Sequence, residues 1–508
     1  MALIRFQELA ALPAPGGPVS FRERTRSLRA ALVLLLLGAA MDAASSAQTF
    51  TTLHNFCNKT NSSGYCSDGI NPEATLVQGK NGDLYGTTFS GGSNNDGVVF
   101  EITATGKLTT LYSFCSQASC TDGSGPKGGL LLATNGNFYG VTSTGGAYNY
   151  GAIFKITPAG KLTTLHSFNN TDGANPQAAL IQATNGNFYG TTFGGGAYSE
   201  GTAFEITSGG TLTTLYSFCA DDGCPDGSKP NSGLIQAADG NFYGVTVAGG
   251  NISSFCFSFG TGGGTFFQLT SSGTLTTLAE FCQPNGFLPN SAPVQASNGN
   301  FYGTTDGGGD NNGVGTVYEM TSTGSSTWLY TFCLQTGCPD GENPQAVSLG
   351  TDGNFYGTTW YGGANNGTGT VFEITPAGQL TTLHTFDGTD GTNPNGPLLL
   401  DTNGTFYGTT LDGGENDNAG TIFSLATGLG PFIGTIPTSG AAKTKVTILG
   451  TNLKGATAVT FNGTAATFKV VSASEITTTV PSGATSGTVT VTTSGGTTLN
   501  SYSAFQVP

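Results

Sequence analysis

The chain has 508 residues, among them 81 glycines and 10 cysteines, and its formal net charge at pH 7 is −15. All five arginines precede residue 48, and beyond that point eleven lysines face 28 acidic residues, for a formal charge near −17. Such a surface repels phosphate groups and lacks the guanidinium fork that binds them. We therefore expect neither nucleic acid nor an anionic membrane as a partner, and a neutral or cationic ligand is favoured.

Residues 1–47 predict a secretory signal peptide. An arginine-rich stretch at 22–29 precedes an apolar run at 30–40, and the small residues Ser-Ser-Ala at 45–47 form a cleavage site. The apolar run is too short to span a bilayer, and no later segment is long and apolar enough to do so. We expect residues 48–508 to be exported to the extracellular space or the cell surface.

The motif Phe-Tyr-Gly, or a near copy, recurs seven times at intervals of 50 to 59 residues, which indicates a repeat architecture. Its tyrosines are Tyr85, Tyr139, Tyr189, Tyr243, Tyr302, Tyr356 and Tyr407. Each repeat has four short apolar runs bounded by Gly, Asn, Asp or Pro, as strands are. In the third repeat these runs are 178–183, 187–192, 201–207 and 212–218.

Asn-Gly or Asp-Gly joins the first two runs of every repeat, which predicts type I′ hairpins with positive φ at both residues. Four antiparallel strands in each of seven repeats predict an all-β fold, a seven-bladed β-propeller over residues 48–428. The outer-strand pattern first appears at 50–56, before any complete repeat, whereas the last repeat lacks its fourth run. The amino-terminal strand is therefore expected to complete the last blade and close the ring.

Two resemblances follow from these motifs. The order Asn-Gly-Asn-Phe-Tyr-Gly-Thr-Thr, Gly-Gly, Gly-Thr-Val-Phe-Glu-Ile-Thr and Leu-Thr-Thr-Leu over residues 50–427 resembles the GloVer-type (Gloeo/Verruco) tandem repeat of secreted bacterial proteins. That resemblance implies a secreted repeat protein and no particular activity. Residues 429–508 resemble an IPT/TIG domain, an immunoglobulin-like β-sandwich. The segments that carry the second resemblance are 436–440, 446–453, 459–463, 479–481 and 487–492.

Ten cysteines in an exported chain predict disulfides. Four pairs follow the last-strand Phe in the connections between blades: Cys57 with Cys66, Cys115 with Cys120, Cys219 with Cys224, and Cys333 with Cys338. Cys256, in an insertion of the fourth blade, and Cys282 lie in loops of the same face and are expected to pair. Zinc is the alternative, but the spacings are not CxxC and these loops contain no histidine.

Aromatic residues in the loops of one face are the candidate ligand-binding residues. They are Tyr148, Tyr150, Tyr198, Phe255, Phe257, Phe259, Trp360 and Tyr361. Flat rings beside neutral hydrogen-bonding groups suit a sugar, and a protein partner could use them too. The alternative is that the rings pack on neighbouring loops and contact no ligand.

Other polar residues follow the repeat and are interpreted as architecture. Six inter-blade loops contain Asp-Gly-x-x-Pro, which is read as a turn in which Asp accepts backbone N–H groups, with calcium as the alternative. Glutamates recur at one position of the third strand: Glu101, Glu205, Glu319 and Glu373. Histidines recur at one position of the outer strand, where other repeats have Tyr: His54, His166 and His384. No catalytic residue, metal or cofactor is predicted.

Together these features predict a secreted, monomeric, non-catalytic binding or adhesion protein whose loop face contacts extracellular polysaccharide or a surface protein. One alternative is a glycan-active hydrolase or lyase, for which a propeller is a precedent by fold alone. Acidic or histidine side chains converging on the central channel would favour that enzyme. The other alternative is a structural envelope protein without a ligand.

Overall fold

A computed structural model describes residues 48–250, 262–282, 286–309, 314–364 and 367–508, and the predicted signal peptide lies outside this range. The described chain contains 37 strands and two short 3₁₀ helices, Ala118–Cys120 and Leu453–Gly455. All pairings between these strands are antiparallel. The fold is therefore all-β, as the sequence predicts.

Seven sheets precede residue 427 in the described chain. Sheet 1 contains β2 (Val77–Gln78), β3 (Leu84–Thr88), β4 (Val98–Ile102) and β5 (Leu108–Ser113). Sheet 2 contains β6 (Leu131–Leu132), β7 (Phe138–Thr142), β8 (Ala152–Ile156) and β9 (Leu162–Ser167). Sheet 3 contains β10 (Ile181–Gln182), β11 (Phe188–Thr192), β12 (Thr202–Ile206) and β13 (Leu212–Ser217). Sheet 4 contains β14 (Ile235–Gln236), β15 (Phe242–Thr246), β16 (Thr265–Leu269) and β17 (Leu275–Glu280).

Sheet 5 contains β18 (Val294–Gln295), β19 (Phe301–Thr305), β20 (Thr316–Met320) and β21 (Ser326–Thr331). Sheet 6 contains β22 (Glu342–Leu349), β23 (Phe355–Tyr361), β24 (Thr370–Ile374) and β25 (Leu380–Thr385). Sheet 7 contains β1 (Thr49–Asn55), β26 (Thr392–Pro394), β27 (Leu399–Leu400), β28 (Thr405–Asp412) and β29 (Thr421–Ala426). The amino-terminal strand β1 pairs with β29, from Thr49 opposite Ala426 to Asn55 opposite Thr421.

Each residue of the Phe-Tyr-Gly motif has its own packing role. Tyr189 of sheet 3 stacks on Phe242 of sheet 4, with ring centroids 4.1 Å apart, and its hydroxyl donates to Glu205 (2.8 Å). Gly190 leaves room for the ring of Phe204 on the facing strand, because a Cβ there would lie 2.8 Å from Phe204 Cζ. The Phe and Tyr rings of the motif therefore fill the core and join two sheets, and its Gly leaves space for the Phe ring of the facing strand.

The same contacts recur from sheet to sheet. Six tyrosines stack on the next sheet: Tyr85–Phe138, Tyr139–Phe188, Tyr189–Phe242, Tyr243–Phe301, Tyr302–Phe355 and Tyr356–Phe406. The Phe after each outer strand also packs on the third strand of the next sheet: Phe56–Phe100, Phe114–Phe154, Phe168–Phe204, Phe218–Phe267, Phe281–Tyr318, Phe332–Phe372 and Phe386–Phe423. Because Phe56 directly follows β1, the first of these contacts joins sheet 7 to sheet 1.

The Asn-Gly and Asp-Gly turns are not type I′, so that prediction is wrong. Gly136 has a φ of 79°, but Asn135 is not among the residues with positive φ. Gly136 N donates to Ala133 O (2.8 Å) and Ala133 N to Asn137 O (3.0 Å), the pattern of a type I turn followed by a glycine bulge. Asn135 is used for its side chain, whose Nδ2 donates to the Tyr139 hydroxyl (2.8 Å).

The carboxy-terminal region forms two further four-stranded sheets, as a β-sandwich requires. One contains β30 (Gly434–Ile436), β31 (Lys445–Leu449), β35 (Glu475–Thr479) and β34 (Phe468–Val470). The other contains β33 (Thr464–Ala465), β32 (Ala456–Phe461), β36 (Val489–Thr493) and β37 (Thr498–Asn500). Their facing side chains form one apolar core that includes Ile448 and Val491.

The sandwich contacts the hairpin turns between the first and second strands of the repeat sheets, a side that we call the turn face. Ser474 Oγ donates to Lys80 O of sheet 1 (2.7 Å), and Tyr502 OH donates to Leu349 O of sheet 6 (2.6 Å). Leu449 joins the apolar cluster shared by sheets 1 and 2. These contacts involve only the turn face and not the loops at the opposite ends of the strands.

We expect Gly190→Ala to lower the free energy of unfolding by roughly 1–3 kcal/mol, because the new methyl group would overpack against Phe204. Gly194→Ala is the matched control, since Gly194 has no positive φ and its nearest heavy atom would lie 3.9 Å from the added Cβ. Chemical denaturation of both variants checks this. Equal stabilities would contradict the packing role of the motif glycine.

Candidate functional site

Two kinds of loop meet on the face opposite the turn face. One kind joins the second and third strands within a sheet, and the other joins successive sheets. Bridges connect the two kinds in five places: Ile70 with Ser90, Ser124 with Thr144, Ala174 with Gly194, Ser228 with Ala248, and Phe287 with Gly307. We call this surface the loop face.

The aspartates of the inter-sheet loops bind donors of their own loop. Asp172 accepts the Asn169 N–H (2.9 Å), and its Oδ2 lies 2.8 Å from His166 Nε2. Asp226 accepts the Tyr216 hydroxyl (2.8 Å) and the Cys219 N–H (2.9 Å). The same pairing recurs in His54–Asp68, Tyr112–Asp122, Tyr330–Asp340 and His384–Asp390. Histidine and tyrosine thus alternate because either places a polar group against this carboxylate, and the geometry favours the turn interpretation over calcium.

The recurrent glutamates are engaged at the opposite ends of the strands. Glu205 accepts the Tyr189 hydroxyl (2.8 Å) and Asn187 Nδ2 (2.6 Å) in the hairpin turn. In sheet 4, where the equivalent residue is Gln268, its Nε2 donates to the Tyr243 hydroxyl (2.7 Å). These carboxylates hold the turn in place, which agrees with an architectural role.

The four predicted local disulfides form, with Cα–Cα distances from 4.0 to 4.6 Å: Cys57–Cys66, Cys115–Cys120, Cys219–Cys224 and Cys333–Cys338. Cys256 lies outside the described residues, so its pairing with Cys282 stays a prediction. In the described chain, the groups that could hold a metal ion are Asp96 with Cys115 and Cys120, and Glu342 with Cys333 and Cys338. Their sulfurs are in disulfides and are not thiolates, which disfavours zinc.

Three of the candidate aromatic residues are exposed in loops of the loop face on two successive sheets, and we call them the tyrosine patch: Tyr148, Tyr150 and Tyr198. Tyr148 of sheet 2 and Tyr198 of sheet 3 occupy equivalent repeat positions, and their side chains are 60% and 50% exposed. The loop of sheet 2 is held to the next connection by a hydrogen bond from Asn175 N to Tyr150 O (2.9 Å). Sheets 2 and 3 thus each present an exposed tyrosine in the same loop.

The other candidates are not part of this patch. Trp360 and Tyr361 end β23 of sheet 6, with ring centroids 6.2 Å apart, and Tyr361 is 47% exposed. Sheet 6 packs on sheets 5 and 7, so this pair is separated from sheets 2 and 3. Phe255, Phe257 and Phe259 lie outside the described residues.

A feature that the sequence analysis missed is Asp401, which precedes the hairpin turn of sheet 7. The other sheets have Gly or Ala at this position: Gly79, Ala133, Ala183, Ala237, Ala296 and Gly350. Asp401 is 4% exposed, and burial raises its pKa to about 6. Its Oδ1 has no hydrogen-bond partner within the described part of the molecule. The break in the repeat is the signal that could have found it.

The sequence profile of the Gloeobacter/Verrucomicrobia repeat matches residues 37–259 and 252–465. The chain belongs to the Gloeobacter/Verrucomicrobia repeat family. The profile of the IPT/TIG domain matches residues 431–507, so both resemblances drawn from the motifs are confirmed. No curated protein matches this Gloeobacter/Verrucomicrobia repeat chain in sequence.

Several solved structures are similar to the chain. A fungal alcohol oxidase of the AA5 family in complex with copper has a TM-score of 0.45 and 13% identity, covering 87% of this chain and 97% of its own. An auxiliary nutrient binding protein from Bacteroides ovatus has a TM-score of 0.39 and 13% identity, covering 75% and 76%. A gluconolactonase from Xanthomonas campestris has a TM-score of 0.37 and 12% identity, covering 76% and 92%. Similarities at this level say nothing about the activity of this chain.

Within the described residues, no helix has the length and hydrophobicity needed to cross a membrane.

Exchange at the His166 position tests the architectural role of the pairing with Asp172. His166→Tyr reproduces the residue of sheets 1, 3 and 5 and should change the free energy of unfolding by less than about 1 kcal/mol. His166→Phe leaves Asp172 without this partner and should cost roughly 1–3 kcal/mol. Chemical denaturation measures both. Equal losses for the two variants would argue that the imidazole itself is required.

Burial of Asp401 makes the free energy of unfolding depend on pH. Its pKa is raised from 3.8 to about 6 in the folded protein, so its contribution to stability falls as the pH rises from about 4 to about 6. The stability of Asp401→Asn relative to wild type should therefore improve by about 2 kcal/mol between pH 4.5 and pH 7.5. Denaturation at the two pH values measures this difference, and a difference independent of pH would show that Asp401 is ordinarily solvated.

Proposed function

We propose that this protein is an exported, non-catalytic binding protein that holds extracellular polysaccharide on its loop face through Tyr148, Tyr150 and Tyr198. The observation that carries the proposal is the exposure of these rings on neighbouring sheets. A pyranose ring presents an apolar face that packs on a flat aromatic side chain. Equivalent tyrosines on adjacent sheets would give one polysaccharide chain an aromatic contact on each sheet.

The tyrosines are also held on a rigid support. Gly145 N donates to Asn149 Oδ1 (3.1 Å), and Asn149 N donates to Gly146 O (3.3 Å), so the loop that carries Tyr148 is bound internally. Ordering a loop on binding costs free energy, and a loop that is already ordered avoids that cost. This support favours ligand binding over simple surface exposure.

The charge of the chain selects among polysaccharides. Beyond residue 48 there is no arginine, and acidic residues outnumber lysines by 28 to 11. An anionic polysaccharide would be repelled and would find no guanidinium fork. The proposed ligand is therefore a neutral or amine-containing polysaccharide.

For the scaffold, we infer that the seven sheets are blades of a closed β-propeller. The pairing of β1 with β29 and the contact of Phe56 with Phe100 support this closure. Gln78 Nε2 of sheet 1 also donates to Thr402 Oγ1 of sheet 7 (2.8 Å). With the IPT/TIG sandwich on the turn face, such a ring leaves its loop face open to a ligand.

Catalysis on glycans is the weaker interpretation. The short first strands β2, β6, β10, β14, β18 and β27, which would line a central channel, contain no Asp, Glu or His, and the longer first strand of sheet 6, β22, contains one, Glu342, at its loop-face end. The recurrent carboxylates are engaged by side chains and N–H groups of the scaffold. The four disulfides are typical of an oxidising, extracellular compartment and support export.

A binding screen of residues 48–508 against neutral polysaccharides tests the proposal. Tyr148→Ala and Tyr198→Ala should each weaken binding by roughly tenfold or more, because an aromatic anchor is lost. Trp328→Ala is the control, since Trp328 is 37% exposed on the outer strand β21 and lies outside the loop face. Unchanged affinity in both tyrosine variants would overturn the site, and sugars released into the supernatant would overturn the non-catalytic assignment.

A further inference from the structure

A cavity of about 250 Å³ lies between the turn face and the IPT/TIG sandwich. Its buried floor includes Asp401 and Tyr407 of sheet 7 and Gln78 of sheet 1. Its rim includes Asn81 of sheet 1 and Asn452 of the sandwich, and both of these residues are exposed. The cavity is thus shared by both parts of the described chain and has a buried carboxylate at its base.

The carboxylate of Asp401 is not neutralised by the protein. Its Oδ1 has no hydrogen-bond partner among the described residues, and its Oδ2 accepts a long bond from Asn403 N (3.4 Å). None of the described residues that line the cavity is Lys, Arg or His. Lys80 of the adjoining hairpin has its Nζ 3.5 Å from Glu475 Oε1 instead. With a pKa of about 6, Asp401 is ionised at neutral pH, and an unpaired buried charge is costly.

The remaining polar groups of the cavity also favour a ligand that donates hydrogen bonds. Asp83 adds a second carboxylate to the lining. Two lining amides each use one N–H within the protein, because Gln78 Nε2 donates to Thr402 Oγ1 (2.8 Å) and Asn403 Nδ2 to the Tyr407 hydroxyl (3.1 Å). The lining therefore carries two carboxylates and no basic side chain among the described residues.

The size of the cavity and its ligand set distinguish an organic cation from a metal ion. Calcium takes about 6–8 oxygen ligands, usually from several carboxylates. The described residues do not place three acidic, His or Cys side chains close together in this cavity. A volume of about 250 Å³ corresponds to roughly eight water molecules, which is enough for a small organic molecule. We propose that the cavity binds a small organic molecule through a protonated primary amine that pairs with Asp401.

This proposal is independent of the tyrosine patch, which lies on the other face. The test uses residues 48–508, with calorimetric titration of ethanolamine and glucosamine, and with N-acetylglucosamine as the uncharged counterpart of glucosamine. At least one of the two amines should bind. If glucosamine binds, N-acetylglucosamine should bind at least about 30-fold more weakly. Asp401→Asn and Asp401→Ala should weaken amine binding to a similar extent, because each removes the paired charge.

Two controls keep the result interpretable. Asp401→Ala introduces the residue that sheets 2, 3, 4 and 5 already have at this position, so this variant should fold. Glu415→Gln removes an exposed carboxylate from the loop face and should leave amine binding unchanged. Both Asp401 variants should keep polysaccharide binding. The proposal is overturned if neither amine binds, if Asp401→Ala binds the amine as wild type does, or if only calcium binds.

Discussion

The stacking of a tyrosine from one sheet on a phenylalanine of the next is the interaction on which the repeat region depends. Each such pair contributes about 0.5–1.5 kcal/mol beyond the burial of its apolar area. The same tyrosine also holds the hairpin turn of its own sheet through its hydroxyl, as Tyr189 does with Glu205. A change at one motif therefore affects the turn, the sheet and the neighbouring sheet together.

This dependence divides the polar residues into two groups. Residues that follow the repeat serve the scaffold, as the pairing of Asp172 with His166 and of Asp226 with Tyr216 shows. Residues that break the repeat do not take part in these recurrent scaffold contacts. Asp401 belongs to the second group, because the other six sheets have Gly or Ala at its position.

The sequence predicted the strands well, because the alternation of apolar runs and turn residues is a local signal. It also predicted that β1 would complete the last sheet, since one end of the array has a surplus run and the other lacks one. The turn type was wrong because Asn135 is selected for the bond from its side chain to Tyr139 and not for a positive φ. The first strands were expected to span about six residues, but β10 pairs only at Ile181 and Gln182.

The candidate sites were harder to predict because they depend on distant contacts. The environment of Asp401 is formed by Gln78 and by the sandwich, which are far from it in sequence, so its burial leaves no local pattern. The aromatic residues were identified by type, but their grouping depends on which sheets are neighbours. Tyr148 and Tyr198 lie on sheets 2 and 3, which pack on each other, whereas Trp360 lies on sheet 6, which packs on sheets 5 and 7.

The pairing of β1 with β29 has a consequence for biogenesis. Thr49 is made before its partner Ala426, which follows some 370 residues later in the chain. Until both are present, sheet 7 has an open strand edge that can pair with other chains. Contacts of such long range form slowly, and the last step of assembly must wait for the whole repeat region. Synthesis of the repeat region can thus finish before sheet 7 is complete.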